Sequence, residues 1–392
     1  MFTPDAATLG LTATERVHMG TPAAEALAGE ASQLDARRVF LLVSSTLRSQ
    51  TDEIQKIEAA LGERLAAVHD GIGPHSPRAD VLAAIAAARD VKADLIVTVG
   101  GGSVTDAGKV LALGLRHDFT DHEDFDPFFV YVDEQGETIV PQFEGPDIRV
   151  ICCPTTLSGG EFNNLAGVTD EIANHKQGYT HRLMAPIAIV LDPALTVHTP
   201  EWLWTSTGVR AVDHALEALG SLQSNYFCDG IADSALRFLA DGLPAVRDEP
   251  GDLDARLRCM IGAWQSMIPI IGGVPMGASH AIGHVLGGTA DVPHGYCSCV
   301  MAPAVLDFNK SVNGERQERI SACFGRAGDD ASGIVHEFIS SLGMPRSLGE
   351  VGVTPEQLDL IAEFTMKDFW ARTNPRTIAS PADVRLILDK AV

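Results

Sequence analysis

Four of the thirteen histidines stand where their chemistry could be shared. His280 and His284 are four residues apart in a helical pattern, so both project from one face. Gly287-Gly288 are expected to break that helix, and His294 follows within Asp291-Val292-Pro293-His294-Gly295. His214 sits in an earlier helix, within Arg210-Ala211-Val212-Asp213-His214-Ala215-Leu216-Glu217. Imidazoles clustered on apolar helices ligate a metal or move protons near neutral pH. Taken singly, each could equally be a hydrogen-bonded core residue.

A second group of residues suits phosphate. Gly100-Gly101-Gly102-Ser103 follows an apolar, β-branched run and opens a helix. Successive glycines let a ligand approach the backbone, and the unpaired N–H groups of a helix start attract a phosphate. The spacing departs from G-x-G-x-x-G, and a tight turn would use the same glycines. Asp106, in the first turn, would also complement the helix dipole. The segment from Pro154 through Thr155, Thr156, Leu157, Ser158, Gly159 and Gly160 to Glu161 follows another apolar run. Its hydroxyls and glycines suit a ribose or phosphate, or an ordinary loop.

These groups need elements to hold them. Arg38–Ser44, Asp94–Gly100, Arg149–Cys153 and Ile187–Leu191 read as strands, with helices over 52–67, 77–91 and 103–115. This alternation predicts an α/β half with a mostly parallel sheet and helices on both faces. Residues 117–147 form an excursion with a short antiparallel pair, Phe129–Val132 and Glu137–Val140. From Pro200 onward the pattern is helical: 200–220, 226–246, 252–271, 276–287, 298–310, 315–327, 330–342, 355–364 and 381–390. The division is therefore a dinucleotide-binding α/β domain over 1–195 and an all-α domain over 196–392. A ligand cleft is expected between them, at the carboxyl ends of the strands.

Composition narrows the partners. The 392 residues carry 52 acidic against 29 basic side chains, a net charge of −23. Such a surface repels phosphate backbones and anionic lipid, which argues against nucleic-acid partners. The apolar stretch Met267–Leu286 is interrupted by Pro269, Gly272, Gly273 and Pro275, so no membrane span is predicted. The N-terminus shows no secretory pattern, and the seven cysteines lack a C-x-x-C. Buried free thiols and a cytoplasmic location are expected. The default assembly is a homodimer acting on a small molecule.

Taken together, GGGSVTDAGK at Gly100–Lys109, Pro154–Glu161, HALE at His214–Glu217, HAIGHVLGG and DVPHG resemble the iron-containing alcohol dehydrogenase family. The resemblance runs from the Arg38 strand to the last helices. It implies hydride transfer with NADH or NADPH between an N-terminal dinucleotide domain and a helical domain. Gly100, Gly101, Gly102, Ser103, Asp106, Thr155, Thr156, Leu157 and Ser44 are the expected cofactor contacts. Ser44-Ser45-Thr46 replaces the usual ribose carboxylate, so NADPH should be tolerated.

Metal-dependent members of that family hold a divalent ion with one Asp and three His. Here His214, His280 and His294 match the histidines, His284 matches the non-ligand histidine of the cleft, and Arg210 stands at the Asp position. Arginine has only donors and cannot ligate. Asp213 points about 100° away from His214 around the helix. The short loop PTTLSGGE and the HVLGG block resemble the maleylacetate reductases, which implies catalysis without metal. There, His284 or His280 would supply the proton, with Arg210, His214 and His294 stabilising negative charge. Arg210 itself is not carried over from that branch, which has a small amide at this position. It could grip a carboxylate, or be an exposed residue paired with Asp213 or Glu217. The rivals are a metal-dependent alcohol dehydrogenase and a lyase resembling dehydroquinate synthase.

Overall fold

The computed structural model describes residues 7–133 and 137–392. They form two compact units, one of Thr12–Thr199 and one of Pro200–Val392 joined by residues 7–11. That short N-terminal segment was expected with the α/β half. It lies instead with the helices, where Leu9 fits beside Gly272.

The first unit contains β1 (Arg16–Met19), β2 (Val39–Val43), β3 (Leu65–His69), β4 (Leu95–Gly100), β5 (Phe129–Val132), β6 (Thr138–Ile139), β7 (Val150–Pro154), β8 (Leu165–Asp170), β9 (His175–Thr180) and β10 (Ala188–Leu191). Six make a parallel sheet in the order β1-β10-β7-β4-β2-β3, and four an antiparallel sheet in the order β6-β5-β9-β8. The helices are α1 (Ala23–Gln33), α2 (Ser45–Gln50), α3 (Glu53–Leu61), α4 (Arg78–Asp90), α5 (Gly102–Arg116) and α6 (Pro193–Thr196).

Strands buried on both faces must be apolar throughout, which is why β2, β4 and β7 lack alternation. Phe40, Leu42, Ile96 and Cys152 pack under α4 and α5, while Leu41, Val97, Ile151 and Cys153 pack under α1 and α3. The neighbouring cysteines Cys152 and Cys153 thus face opposite layers, and all seven cysteines are free and buried.

Two readings change here. The helix expected over 52–67 ends at Leu61; Gly62 turns the chain at φ +53°, and Leu65–His69 becomes β3. Parallel pairing with β2 outweighs the helical preference of Ala66-Ala67. Strands β8 and β9 were not expected, because their polar, glycine-containing sequences carry little β signal; their pairing supplies it. The pair β5–β6 sets Tyr131 opposite Ile139, with residues 134–136 outside the described residues.

The second unit, among the described residues, is helical: α7 (Glu201–Gly220), α8 (Tyr226–Asp248), α9 (Leu253–Ile271), α10 (Ala278–Ala290), α11 (His294–Cys323), α12 (Ala331–Ser341), α13 (Leu358–Thr365) and α14 (Pro381–Leu388). Side-chain caps from Asn225, Asp252 and Asp330 start α8, α9 and α12. Gly287-Gly288 do not break α10. It runs on to Ala290 and stops where Asp291 takes a left-handed φ of 52°. The helices expected at 298–310 and 315–327 run on from one another but are separated by a kink at Asn313, which has non-helical backbone angles and whose amide donates to the Gly220 carbonyl of α7.

Gly295 decides how closely α11 meets α7. A Cβ there would lie 2.7 Å from the Ser206 backbone carbonyl, so only glycine permits the approach. The first turn of α11 is thereby pressed against the α7 face that carries Arg210.

Candidate active site

Arg210, Asp213, His214 and Glu217 share one side of α7 at three- and four-residue steps, and all four are withdrawn from solvent. Arg210 is 5% exposed, so the exposed-arginine reading is overturned. Its Nη1 donates to Ser298 Oγ of α11 at 3.1 Å and lies 4.0 Å from Asp213 Oδ2. Ser298 and Ser279 of α10 each donate a hydroxyl to that same oxygen at 2.8 Å. Asp213 is thus turned toward two serines, while His214 beside it brings Nδ1 to 3.5 Å from Ser266 Oγ of α9.

Glu217 holds the start of α10. Gly277 has no side chain to cap it, and Glu217 accepts from Gly277 N and Ser279 N, both at 2.9 Å. Its Oε2 also lies 2.7 Å from His280 Nδ1. A carboxylate at that distance assigns the proton of neutral His280 to Nδ1 and leaves Nε2 with a lone pair. His280 Nε2 and Asp213 Oδ1 are buried polar atoms without a protein partner. The His214 and His280 rings lie 5.0 Å apart.

Burial, with mutual repulsion, pushes Asp213 up to about 7; burial likewise brings Glu217 to about 7, against the pull of the α10 amides. Burial holds His214 and His280 well below the usual imidazole range, and the charge of Arg210 adds to it. The cluster therefore contains one fixed cation, two reluctant carboxylates and two neutral imidazoles.

His284 and His294 form a second, more exposed pair. Their rings stack with centroids 6.0 Å apart and planes 11° apart. His284 Nδ1 lies 2.9 Å from Asp368 Oδ2. Glu217, Ser279, Ser298 and Asp368 were not among the expected site residues. Glu217 could have been found, because it continues the Arg210–Asp213–His214 stripe by one turn. The serines and Asp368 are distant in sequence and carry no local signal.

These residues are a poor fit to the divalent ion that a metal-dependent site would hold. A guanidinium occupies the place of the acidic ligand, and Asp213 Oδ2 is taken by two hydroxyls. Among the described residues no three His, Cys, Asp or Glu side chains converge on a common point. A cation beside Arg210 would meet repulsion of several kcal/mol at ~4 Å and effective dielectrics near 20.

In the α/β unit, sheet register assembles the other group. Gly100 pairs opposite Pro154, Thr155 N donates to Gly100 O at 3.0 Å, and Ser44 N donates to Val99 O at 2.9 Å. Ser44, Gly100–Ser103 and Thr155–Thr156 thus meet at the carboxyl edge of β2, β4 and β7. A Cβ on Gly101 would lie 3.2 Å from Thr156, and one on Gly102 would lie 3.6 Å from Ser158. Ser103 Oγ accepts from His75 N.

Two expected cofactor contacts face inward. Leu157 is buried, and Asp106 turns to β8, where Oδ2 accepts from Gly167 N at 3.1 Å. Lys109, fully buried, donates to Gly160 O, Asn163 O and Leu165 O and so pins the turn after the Thr155 loop. Glu161 beside it is raised by burial to about 7.

Comparison with known proteins gives the lineage. The iron-containing alcohol dehydrogenase family matches residues 14–193, and its C-terminal region matches 204–392. Maleylacetate reductase 2 of Cupriavidus pinatubonensis is 32% identical over 377 residues, 96% of this chain and 94% of that protein. Dehydrogenase ALT3 of Alternaria alternata is 33% identical over 371 residues, 86% of this chain and 94% of its own. The crystal structure of maleylacetate reductase from Agrobacterium tumefaciens superposes with a TM-score of 0.82 at 26% identity, covering 99% and 98% of the two chains. The α/β domain with a helical partner is the fold of these relatives, and the protein belongs to the iron-containing alcohol dehydrogenase family of oxidoreductases, on the side of its maleylacetate reductases.

Proposed function

We propose that the protein is a metal-independent, NAD(P)H-dependent reductase of a small unsaturated oxo-dicarboxylic acid; the substrate class is suggested by relatives named maleylacetate reductase. The observation that carries this reading is the buried guanidinium of Arg210, anchored by Ser298 and balanced by Asp213. A cation fixed in a low-dielectric site stabilises developing negative charge strongly and needs no reorganisation. Its planar fork also matches a carboxylate.

A nicotinamide dinucleotide supplies the hydride when bound. Gly100–Ser103, Thr155, Thr156 and Ser44 would hold it, with backbone N–H groups at the start of α5 meeting its phosphates. Asp106 and Leu157 would shape that cradle from within.

Each hydride delivered leaves negative charge on the substrate, and a proton must follow. His280 is kept neutral by burial and by Arg210, so it accepts hydrogen bonds there. His284 reaches solvent and serves as the proton donor. Arg210, His214 and His294 orient the substrate and stabilise its charge. No helix among the described residues is long and apolar enough to cross a membrane.

The test is a chelated, metal-analysed preparation assayed with maleylacetate, simple aldehydes and primary alcohols against both nicotinamides. Dicarboxylate reduction unaffected by chelation is expected. Activity that disappears with chelation and returns with Fe or Zn overturns the metal-independent reading. Turnover without net cofactor oxidation would point to a lyase.

A further inference from the structure

We infer that Asp368 is the positioning residue of the reaction: it holds His284 by Nδ1, so that the opposite nitrogen, Nε2, delivers the proton. This rests on the reading of His284 as proton donor.

The segment carrying Asp368 lies far from α10 in sequence but is tied along it. Asn374 accepts from Ala278 N at the start of α10 and exchanges two hydrogen bonds with Asn309 of α11. Thr373 Oγ1 donates to Met276 O at 2.6 Å. These bonds fix one end of a strap, and Asp368 lies six residues before Asn374. Asp368 Oδ1 accepts from Trp370 N at 2.8 Å, which sets the carboxylate plane, and Oδ2 is left for His284 Nδ1 at 2.9 Å. The aspartate side chain is 17% exposed and the histidine 41%, so the carboxylate lies beneath the ring and the ring meets solvent.

The chemistry follows from the geometry. A carboxylate on Nδ1 keeps that proton in place and leaves Nε2 as the nitrogen that meets the substrate. Nε2–H then gives its proton to the reduced substrate, the ring becomes neutral with Nδ1–H still on Asp368, and solvent restores Nε2–H. Asp368 itself neither gains nor loses a proton. The stacked His294 ring limits rotation about the dyad.

A double-mutant cycle on the full-length enzyme tests this. The Asp368→Asn variant keeps an oxygen for Trp370 N but presents an amide to His284. It should lower kcat about 10–100-fold with little change in KM or cofactor affinity, and Asp368→Glu should recover part of the loss. His284→Ala should lower kcat by at least that much. In the His284→Ala background, Asp368→Asn should change kcat less than about twofold. An equal loss in both backgrounds, or a KM effect without a kcat effect, overturns the role of Asp368 while leaving His284 as donor. An unchanged kcat in His284→Ala overturns the donor reading, and this inference with it. Thermal melting of each variant shows whether a loss reflects misfolding.

Discussion

The carboxyl edge of the sheet and the histidine cluster of the helical unit are built on opposite principles. The edge is made of backbone: glycines, main-chain amides and small hydroxyls brought together by the β2-β4-β7 register. The cluster is made of buried side chains, with charges held by partners from three helices. A backbone cradle tolerates many side chains nearby but no bulk at its glycines. A buried charge cluster tolerates bulk poorly and loss of any one charge worse, because the remaining charges lose their compensation.

Substitutions can break that contrast. The largest effect is expected from Arg210→Ala, which removes the fixed cation. It should lower kcat/KM for a dicarboxylate by about 10³-fold while cofactor affinity, read by fluorescence titration, stays within about twofold. Equal losses in both would mark Arg210 as structural.

Glu161 next to the edge sharpens the contrast through pH. Its folded pKa of about 7 lies above the ordinary 4.5, so the folded state holds the proton more tightly. Its contribution to stability is complete below pH 4.5 and declines as pH rises to 7, by up to about 3 kcal/mol. The Glu161→Gln variant should lose this slope in melting curves recorded between those limits; an unaltered slope would show that Glu161 does not titrate there.

Gly295→Ala should destabilise the helical unit by about 1–3 kcal/mol, since the added methyl meets Ser206 backbone and α11 must retreat from α7. A melt unchanged from the parent would refute that close approach. The smallest expected effect is Gly101→Val, which crowds Thr156 and narrows the cradle. Cofactor Kd should rise about tenfold with the kcat for saturated enzyme nearly unchanged.

Much of the α/β edge was legible because its signals are local. An apolar run followed by glycines or hydroxyls announces a strand end, and β4 and β7 fell close to their expected bounds. Strands β8 and β9 were missed because Lys176, Gln177 and two glycines hide them, and their pairing is non-local. The inward turn of Asp106 was hidden for the same reason: it depends on Gly167 lying opposite. In the helical unit, the spacing of His280 and His284 was readable, but their separate fates were not. One ring meets Glu217 beneath it and the other Asp368 across the strap.

Residue types and short-range spacing determined the two-part α/β and helical organisation and the glycine turn, and the family resemblance placed an arginine where an acidic ligand is expected. These depend on periodicity and on side-chain chemistry that no fold can alter. Tertiary structure decided that Arg210 is buried, which serines compensate it, that Gly287-Gly288 continue a helix, and that Asp368 faces His284. Each of those outcomes depends on groups tens of residues apart meeting in a dry interior, where the loss of water makes the partner of every charge and every polar atom decisive.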